Sequence, residues 1–273
     1  MSSDAFRTIE ISDPQYETEE LREVTVKSSA LGGRGDITLH VPRVARTTSD
    51  VPLIILLHGV YGSHWAWVRK AGAHRIASQL QAAGKLAPCV LAMPSDGLWG
   101  DGSGYLPHRA QNFERWIVED VVAAARLAAP SVTERSHVCI AGLSMGGFGA
   151  LRLAAKFPNR FVAAAGLSSI THFNQMARFV EEPLDSYAAP IGDHSILETM
   201  QRHRRPLPAL RFDCGIDDPL LEANRELHTG LDAAGIAHQY AEYAGGHNWD
   251  YWTTHLPEML LFFAHVLSGD HQP

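Results

Sequence analysis

The sequence predicts an α/β protein with a mostly parallel central sheet and helices on both of its faces. Short apolar runs of strand length alternate along the chain with longer segments of helical periodicity, a pattern typical of crossover units that join parallel strands. Near the middle of the chain, the apolar run 138–143 ends at a glycine-flanked serine and is followed by an alanine- and leucine-rich segment. This second pattern predicts a buried strand, a sharp turn and a helix.

Composition predicts one globular domain. The chain has 273 residues, of which 45% are hydrophobic and 19% charged, values that favour a large core and argue against disorder. The net charge of −7 gives no attraction for nucleic acid or for an anionic membrane surface. We therefore expect neither as a partner, and we leave open whether identical copies associate.

The N-terminal region carries no recognisable targeting signal. Residues 1–21 are polar and acidic, without the basic segment and apolar run of a signal peptide. No apolar run approaches the ~18 residues of a membrane-spanning helix. We expect a cytoplasmic protein, with residues 1–20 as a loosely attached arm and residues 21–273 as the single domain.

Motifs for metal or cofactor binding are missing from the sequence. Cys89, Cys139 and Cys214 are too scattered for a zinc site, and there is no H-E-x-x-H motif. Neither of the glycine-rich nucleotide-binding motifs is present. We predict no cofactor and no metal, and we expect the cysteines to be reduced and buried.

The first half of the chain predicts the beginning of the sheet. Residues 22–28 and 36–41 alternate apolar and polar side chains and predict an antiparallel hairpin at one sheet edge. The run 51–57 is apolar without alternation, as expected of a strand covered on both faces. Alternating helices and strands are then predicted at 65–83 (helix), 88–93 (strand), 112–129 (helix) and 137–143 (strand).

The second half continues this alternation with one interruption. Residues 168–208 contain short helical pieces and several prolines but no clear strand, so we predict a lid-like insertion over the active site. Around it, the pattern predicts a helix up to residue 157, strands at 161–167, 209–214 and 237–243, and helices at 219–234 and 249–267.

The glycine-rich segment 94–108 follows a predicted parallel strand and is long for a simple connection. Ligands of such sheets bind at the carboxyl ends of the strands. Trp99, Tyr105 and His108 are therefore candidates to line a substrate pocket. An alternative, equally open, is that these side chains attach the loop to the body of the protein.

Ser144, in the turn at 142–146, has the sequence context of an activated nucleophile. A serine hydroxyl needs a base that takes its proton and a carboxylate that orients the base. In folds with this turn, the acid and then the histidine follow the serine in loops after strands. His247 is the one of fifteen histidines in a glycine-rich loop after the last predicted strand. Asp217 and Asp218 are candidate acids, and spacing favours Asp218.

Attack of Ser144 on a carbonyl group would require two hydrogen-bond donors for the oxyanion. The backbone N–H of Met145, directly after the serine, is one candidate. The other should come from the loop after the strand that ends at His58 and Gly59, most simply the N–H of Val60. Both donors are backbone groups, so neither depends on a side chain.

Four motifs resemble one family. Leu-Leu-His-Gly at 56–59, Gly-Leu-Ser-Met-Gly-Gly-Phe-Gly-Ala at 142–150, Asp-Cys-Gly-Ile-Asp-Asp at 213–218 and Gly-His-Asn-Trp-Asp-Tyr-Trp at 246–252 resemble the esterase branch of the α/β-hydrolases. That branch includes S-formylglutathione hydrolases, feruloyl and acetylxylan esterases, and mycolyltransferases. The resemblance implies an α/β-hydrolase fold over roughly residues 20–268, and the position of the acid in the family pattern selects Asp218.

Together, the residues and the resemblance predict a serine carboxylic-ester hydrolase that acts through an acyl-enzyme on small acyl, aryl or sugar esters. An acyltransferase with the same three residues is one alternative. An S-formylglutathione-type thioesterase is a second, although the loop 60–65 lacks the Thr-Cys pair usual in those enzymes. A binding protein without catalytic activity is a third.

Overall fold

A single sheet forms the centre of the molecule. The computed structural model describes residues 6–187, 193–203 and 206–269, and within them nine strands pair in the order β1-β2-β3-β5-β4-β6-β7-β8-β9. The strands are β1 Ile9–Ile11, β2 Leu21–Ser28, β3 Gly33–His40, β4 Leu53–Leu57, β5 Val90–Pro94, β6 Val138–Leu143, β7 Ala163–Leu167, β8 Ala209–Gly215 and β9 Gln239–Tyr243.

The sheet is parallel from β5 to β9. Strand β4 pairs in parallel with both β5 and β6, and β6, β7, β8 and β9 continue the parallel order. Every residue of β4, β5, β6 and β7 is buried, because helices cover both faces of these strands. The predicted α/β class and mostly parallel sheet are confirmed.

The N-terminal edge of the sheet is antiparallel. Strands β2 and β3 form the predicted hairpin, and β3 joins the rest of the sheet by antiparallel pairing with β5. Gly33 and Gly35 belong to strand β3 rather than to the turn. A side chain at Gly35 would collide with the Trp116 ring, 2.5 Å from the Cβ position, so the glycine lets a helix pack against the hairpin.

Part of the expected arm is structured. Residues 9–11 pair with β2 and extend the sheet by one antiparallel strand, and Phe6 is buried in the core. Glu17 forms an ion pair with Arg22 of β2 at 2.5 Å. These contacts replace the loose attachment that the acidic composition suggested, whereas residues 1–5 lie outside the described part of the chain.

Helices cover both faces of the sheet. Their bounds are α1 Ala66–Ala71, α2 Ala73–Ala82, α3 Phe113–Arg115, α4 Val122–Ala128, α5 Met145–Lys156, α6 Ile196–Arg202, α7 Leu221–Ala233 and α8 Trp249–Leu267, with a π-helical stretch Trp116–Val121 between α3 and α4. The prediction of one helix over 65–83 is wrong. Gly72, at φ 62°, ends α1 in the left-handed conformation and starts α2 in a new direction.

Two hydrophobic cores lie on opposite faces of the sheet. Leu53 and Ile55 of β4 point into the core that contains Phe148 of α5. Ile54 and Leu56 point into the core with helices α1, α2 and α8. Because side chains alternate along a strand, one apolar run supplies both cores.

The predicted insertion packs closely against the body. Its described residues form two 3₁₀ turns, Phe173–Arg178 and Leu184–Tyr187, and helix α6. Tyr187 is fully buried, and Lys156 at the end of α5 forms an ion pair with Asp193 at 2.6 Å. Residues 188–192 and 204–205 of the insertion lie outside the described part of the chain.

The three cysteines are free and buried, as predicted. Burial raises the pKa of Cys89, which precedes β5, to about 12. Burial also raises the pKa values of Cys139 in β6 and Cys214 in β8. The thiols therefore remain protonated and unreactive in the folded protein.

Replacing Gly146 at the beginning of α5 should destabilise the fold. A Cβ there would lie 2.3 Å from the Leu57 carbonyl oxygen and 2.6 Å from that of His58. Both contacts are with backbone atoms, which cannot rotate away as a flexible side chain can. We expect Gly146→Ala to lower the free energy of unfolding by about 3 kcal/mol or more, measured by urea denaturation.

Gly33→Ala is the matched control, because its Cβ would meet one atom at an ordinary 3.8 Å. We expect a change of less than about 1 kcal/mol there. Equal stability of the two variants would show that β4 and α5 are not in close contact at Gly146.

Candidate active site

Ser144 lies in a strained turn between β6 and α5. Its φ of 54° and ψ of −118° are unfavourable for a residue with a side chain, and the helix begins at the next residue. A Cβ at Gly142 would lie 2.3 Å from the carbonyl carbon of Gly146. The two glycines therefore allow the strand and the helix to approach closely enough to hold Ser144 in this conformation.

Ser144, His247 and Asp218 form one hydrogen-bonded chain. The Ser144 Oγ lies 3.0 Å from His247 Nε2, and His247 Nδ1 lies 2.9 Å from Asp218 Oδ2. Ser144 follows β6, Asp218 follows β8 and His247 follows β9. The carboxyl ends of these parallel strands lie at the same edge of the sheet. Residues separated by up to 103 positions are thus brought together with the spacing that proton transfer requires.

The three aspartates near the end of β8 have different surroundings. Asp217 is exposed, and its backbone N–H donates to Gly245. Asp213 is buried and accepts a hydrogen bond from the Tyr251 hydroxyl at 2.8 Å. Asp218 contacts His247, so the structure places the acid that the family pattern selects beside the histidine.

The surroundings of Asp218 favour its ionised form. Burial alone would raise the pKa of this carboxyl, but hydrogen bonds from His247, Leu220 and Ser168, together with the attraction of the His247 ring when it is protonated, outweigh burial and lower the pKa. Oδ1 accepts the backbone N–H of Leu220 at 2.8 Å. A carboxylate held in this way keeps the Nδ1–H tautomer of His247 and leaves Nε2 free to accept the serine proton.

The two predicted oxyanion donors belong to segments that adjoin Ser144. Met145 is the first residue of α5, and the first N–H groups of a helix have no partner within it. Val60 lines the same cavity as Ser144. A Cβ at Gly59 would lie 3.2 Å from the Ser144 Cβ, so the loop after β4 runs directly beside the serine.

His58 supports that loop from inside the protein. Its Nδ1–H donates to the Gly59 carbonyl at 2.7 Å, and its Nε2 accepts the backbone N–H of Asp96 at 3.1 Å. Burial lowers the pKa of His58, which keeps the ring neutral in this tautomer. This role of His58 was not predicted, although the His-Gly pair at a strand end was a signal for it.

A cavity of about 230 Å³ opens on Ser144 and His247. Five of its thirteen described lining residues are Tyr, Phe or Trp, and the ring of Phe179 from the insertion stacks on His247 at 5.2 Å. Trp249 and Trp252 lie in the first turn of α8, directly after His247. The described residues that line the cavity are Gly59, Val60, Tyr61, Gly62, Trp65, Ala66, Lys70, Leu143, Ser144, Phe179, His247, Trp249 and Trp252.

The three residues predicted to line a pocket lie elsewhere. Trp99, Tyr105 and His108 do not occur among the described residues that line this cavity. Tyr105 is fully buried, and its hydroxyl donates to the His58 carbonyl at 3.0 Å. Trp99 and His108 pack edge to face against each other at 4.5 Å. These contacts match the alternative that the side chains attach the loop to the body.

The aromatic walls of the cavity were not predicted. Trp249 and Trp252 are three residues apart in the helix that follows His247, which was a usable signal because such residues share a helix face. Trp65, Lys70 and Phe179 come from distant segments, and their approach to Ser144 depends on the tertiary fold.

Comparison with known families identifies the class of protein. Residues 28–263 match the model of the family described as "Putative esterase". The chain therefore belongs to this esterase family, as its motifs predicted, and is a serine ester hydrolase. None of the described helices has the length and apolarity needed to cross a membrane.

Two relatives show how far the likeness extends in sequence. The chain is similar to the acetyl esterase of Caldicellulosiruptor saccharolyticus, with 26% identity over 238 residues that cover 80% of this chain and 85% of that protein. It is 26% identical to Esterase Rv1288 of Mycobacterium tuberculosis over 252 residues, 81% of this chain and 54% of that protein. The chain thus spans about half the length of the mycobacterial relative.

Solved structures show the same fold. A ferulic acid esterase superposes with a TM-score of 0.74 at 22% identity, covering 90% of this chain and 98% of that one. The S-formylglutathione hydrolase of Staphylococcus aureus gives a TM-score of 0.74 at 18% identity, covering 89% and 97% of the two chains. The predicted α/β-hydrolase fold is confirmed.

Asp213 should make stability depend on pH. Burial raises its pKa from 3.8 to about 6, although Tyr251 and Arg211 oppose the shift. Folding therefore favours the protonated form, and the resulting stabilisation is complete below about pH 4 and lost as the pH rises through about 6. Relative to the parent, the free energy of unfolding of Asp213→Asn should rise by about 2 kcal/mol between about pH 4 and pH 7.

The measurement is urea denaturation of both proteins across this pH range. The variant keeps a side-chain acceptor for Tyr251 but cannot ionise. Asp217→Asn, at the exposed neighbouring carboxylate, is the control and should not show this gain. A constant difference between Asp213→Asn and the parent at all pH values would contradict the assignment.

Proposed function

We propose that the chain hydrolyses carboxylic esters through an acyl-enzyme formed on Ser144, with His247 as the general base and Asp218 as its partner. The observation that carries this proposal is the hydrogen-bonded chain of the three side chains, 3.0 Å and 2.9 Å long at its two contacts, at the wall of a cavity.

In the first step, Ser144 Oγ attacks the ester carbonyl while its proton moves to His247 Nε2. The backbone N–H groups of Val60 and Met145 receive the negative charge on the carbonyl oxygen. The ionised Asp218 stabilises the imidazolium that forms. When the tetrahedral intermediate collapses, His247 returns the proton to the leaving alcohol, and the acyl group stays on Ser144.

In the second step, water replaces the alcohol. His247, neutral again, takes a proton from the water as its oxygen attacks the acyl carbonyl. The same two N–H groups hold the oxyanion, and the proton then returns to Ser144 as the acid leaves. Both steps use the same base and the same pair of donors. Removing the base or a donor therefore slows both halves of the reaction.

The cavity favours esters with small acyl groups or flat rings. Its volume of about 230 Å³ is below the usual range for sites that enclose drug-sized ligands. The indole rings of Trp65, Trp249 and Trp252 offer apolar surfaces on which an aryl group or a sugar ring can stack. The names of two similar proteins, an acetyl esterase and a ferulic acid esterase, agree with acetyl and aromatic acyl groups.

A fluorophosphonate probe tests the nucleophile directly. Since the probe phosphonylates an activated serine, we expect one adduct on the parent protein, measured by intact mass spectrometry, and none on Ser144→Ala. Ser169→Ala, at a buried serine after β7, is the matched control and should be labelled like the parent. An adduct that persists in Ser144→Ala would contradict the proposal.

Asp218→Asn should lower kcat for a small aryl acetate by on the order of 10³- to 10⁴-fold, because the amide stabilises the wrong tautomer of His247. Asp217→Asn changes an exposed carboxylate one residue away and should retain nearly full activity. Steady-state kinetics on both variants measures the difference. If Asp217→Asn causes the larger loss, the acid has been assigned to the wrong residue.

A further inference from the structure

A second cluster of polar side chains lies between the end of α7 and the beginning of β9. It consists of His228 and Asp232 on α7 and His238 just before β9, and the ligand atoms that these residues offer all lie within 4.8 Å of one another. The proposed ester hydrolysis does not use these residues. We propose that they bind a divalent late transition metal ion such as Zn²⁺ through two imidazoles and one carboxylate.

His238 presents a lone pair to the cluster. Its Nδ1–H donates to the Ile236 carbonyl at 2.8 Å, so in the neutral ring Nε2 carries no proton and faces the other two residues. A backbone carbonyl that fixes the tautomer in this way is the usual outer partner of a metal-bound histidine. The side chain is only 2% exposed, and its ring stacks on Phe212 at 5.5 Å.

The second imidazole and the carboxylate are one helical turn apart. His228 and Asp232 are at i and i+4 in α7, which places them on one face of the helix. Asp232 carboxylate oxygens lie 3.6 Å from His228 Nε2 and 3.9 Å from His238 Nε2. The His228 ring is itself held by stacking on Tyr240 at 4.7 Å.

The three ligand atoms, which all lie within 4.8 Å of one another, must move slightly closer together to hold a tetrahedral ion. With metal–ligand bonds of about 2.0–2.2 Å, ligand atoms lie about 3.3 Å apart. The exception is the 2.7 Å contact between His228 Nδ1 and His238 Nε2, which is a hydrogen bond when no ion is bound. On binding through Nδ1, the His228 proton moves to its other nitrogen, and the rings separate by a few tenths of an ångström.

The ion would have a structural role. The three residues join the C-terminal half of α7 to the residue before β9, whereas His247 follows the other end of that strand. Asp232 is also about 16 Å along α7 from the first residue of the helix, near which Asp218 lies. We therefore expect the ion to hold α7 and β9 together and to leave the chemistry at Ser144 unchanged.

The test uses the full chain without a histidine tag, treated with EDTA and then titrated with Zn²⁺. At 100 times the dissociation constant, one bound ion should raise Tm by about 5 °C. Isothermal titration calorimetry should give one ion per chain, and Co²⁺ should produce the visible absorption of a tetrahedral complex. Asp232→Asn and His228→Ala should lose all three signals while retaining esterase activity without metal.

Two further variants distinguish this site from other ways of binding Zn²⁺. His265→Ala removes an exposed histidine from α8 and should bind the ion like the parent. His247→Ala removes the histidine beside Ser144 and should also keep the Tm increase. No saturable increase in the parent, equal increases in Asp232→Asn and the parent, or loss of the increase in His247→Ala would each overturn the proposal. Metal binding is measured without reference to esterase activity. If the parent protein had no esterase activity, the result for metal binding would still stand.

Discussion

The strained backbone of Ser144 is the constraint on which the active site depends. A non-glycine residue with φ of 54° costs about 1–3 kcal/mol, which the surrounding structure must supply. Ser144 N–H donates to Leu167 of β7 at 3.0 Å, and its carbonyl accepts the N–H of Ile170 at 3.2 Å. The close approach of β6 and α5 at Gly142 and Gly146 completes this support. The serine hydroxyl is therefore positioned by backbone contacts from two strands and a helix.

A buried polar network lies beneath the loop that follows β4, in which His58 and Gly59 pass beside Ser144. Tyr105 links the loop to the interior through the His58 carbonyl, and its own carbonyl accepts a hydrogen bond from Arg152 of α5 at 2.5 Å. Arg152 is fully buried and forms an ion pair with Glu114 at 2.8 Å. Such groups are stable inside a protein only when they are paired. The same interactions thus satisfy buried charges and connect the helix behind Ser144 to the loop that faces it.

Sequence patterns predicted those parts of the structure that depend on residues close together in the sequence. The apolar runs predicted the buried strands, and the residues around Ser144 and His247 predicted two members of the candidate site, whose side chains lie 3.0 Å apart. Periodicity alone did not reveal the helix break at Gly72, because a single glycine is also found within continuous helices. The ring-bearing residues of loop 94–108 were candidates for a pocket because a long loop follows a parallel strand there, and attachment to the body was equally open. At Tyr105, however, φ is 53° and the side chain is directed into the core, which only the tertiary fold determines.

The three buried thiols also report on motion in the sheet. A thiol reagent attacks only an ionised and accessible thiol. In the folded protein, Cys89, Cys139 and Cys214 are buried, so their thiols are neither ionised nor accessible. Each is located in a different part of the sheet, before β5, within β6 and within β8. The rate at which each sulfur becomes alkylated in native conditions therefore measures how often its own part of the sheet opens. The protein carries three internal probes of local unfolding, one of them in the strand that leads to Ser144.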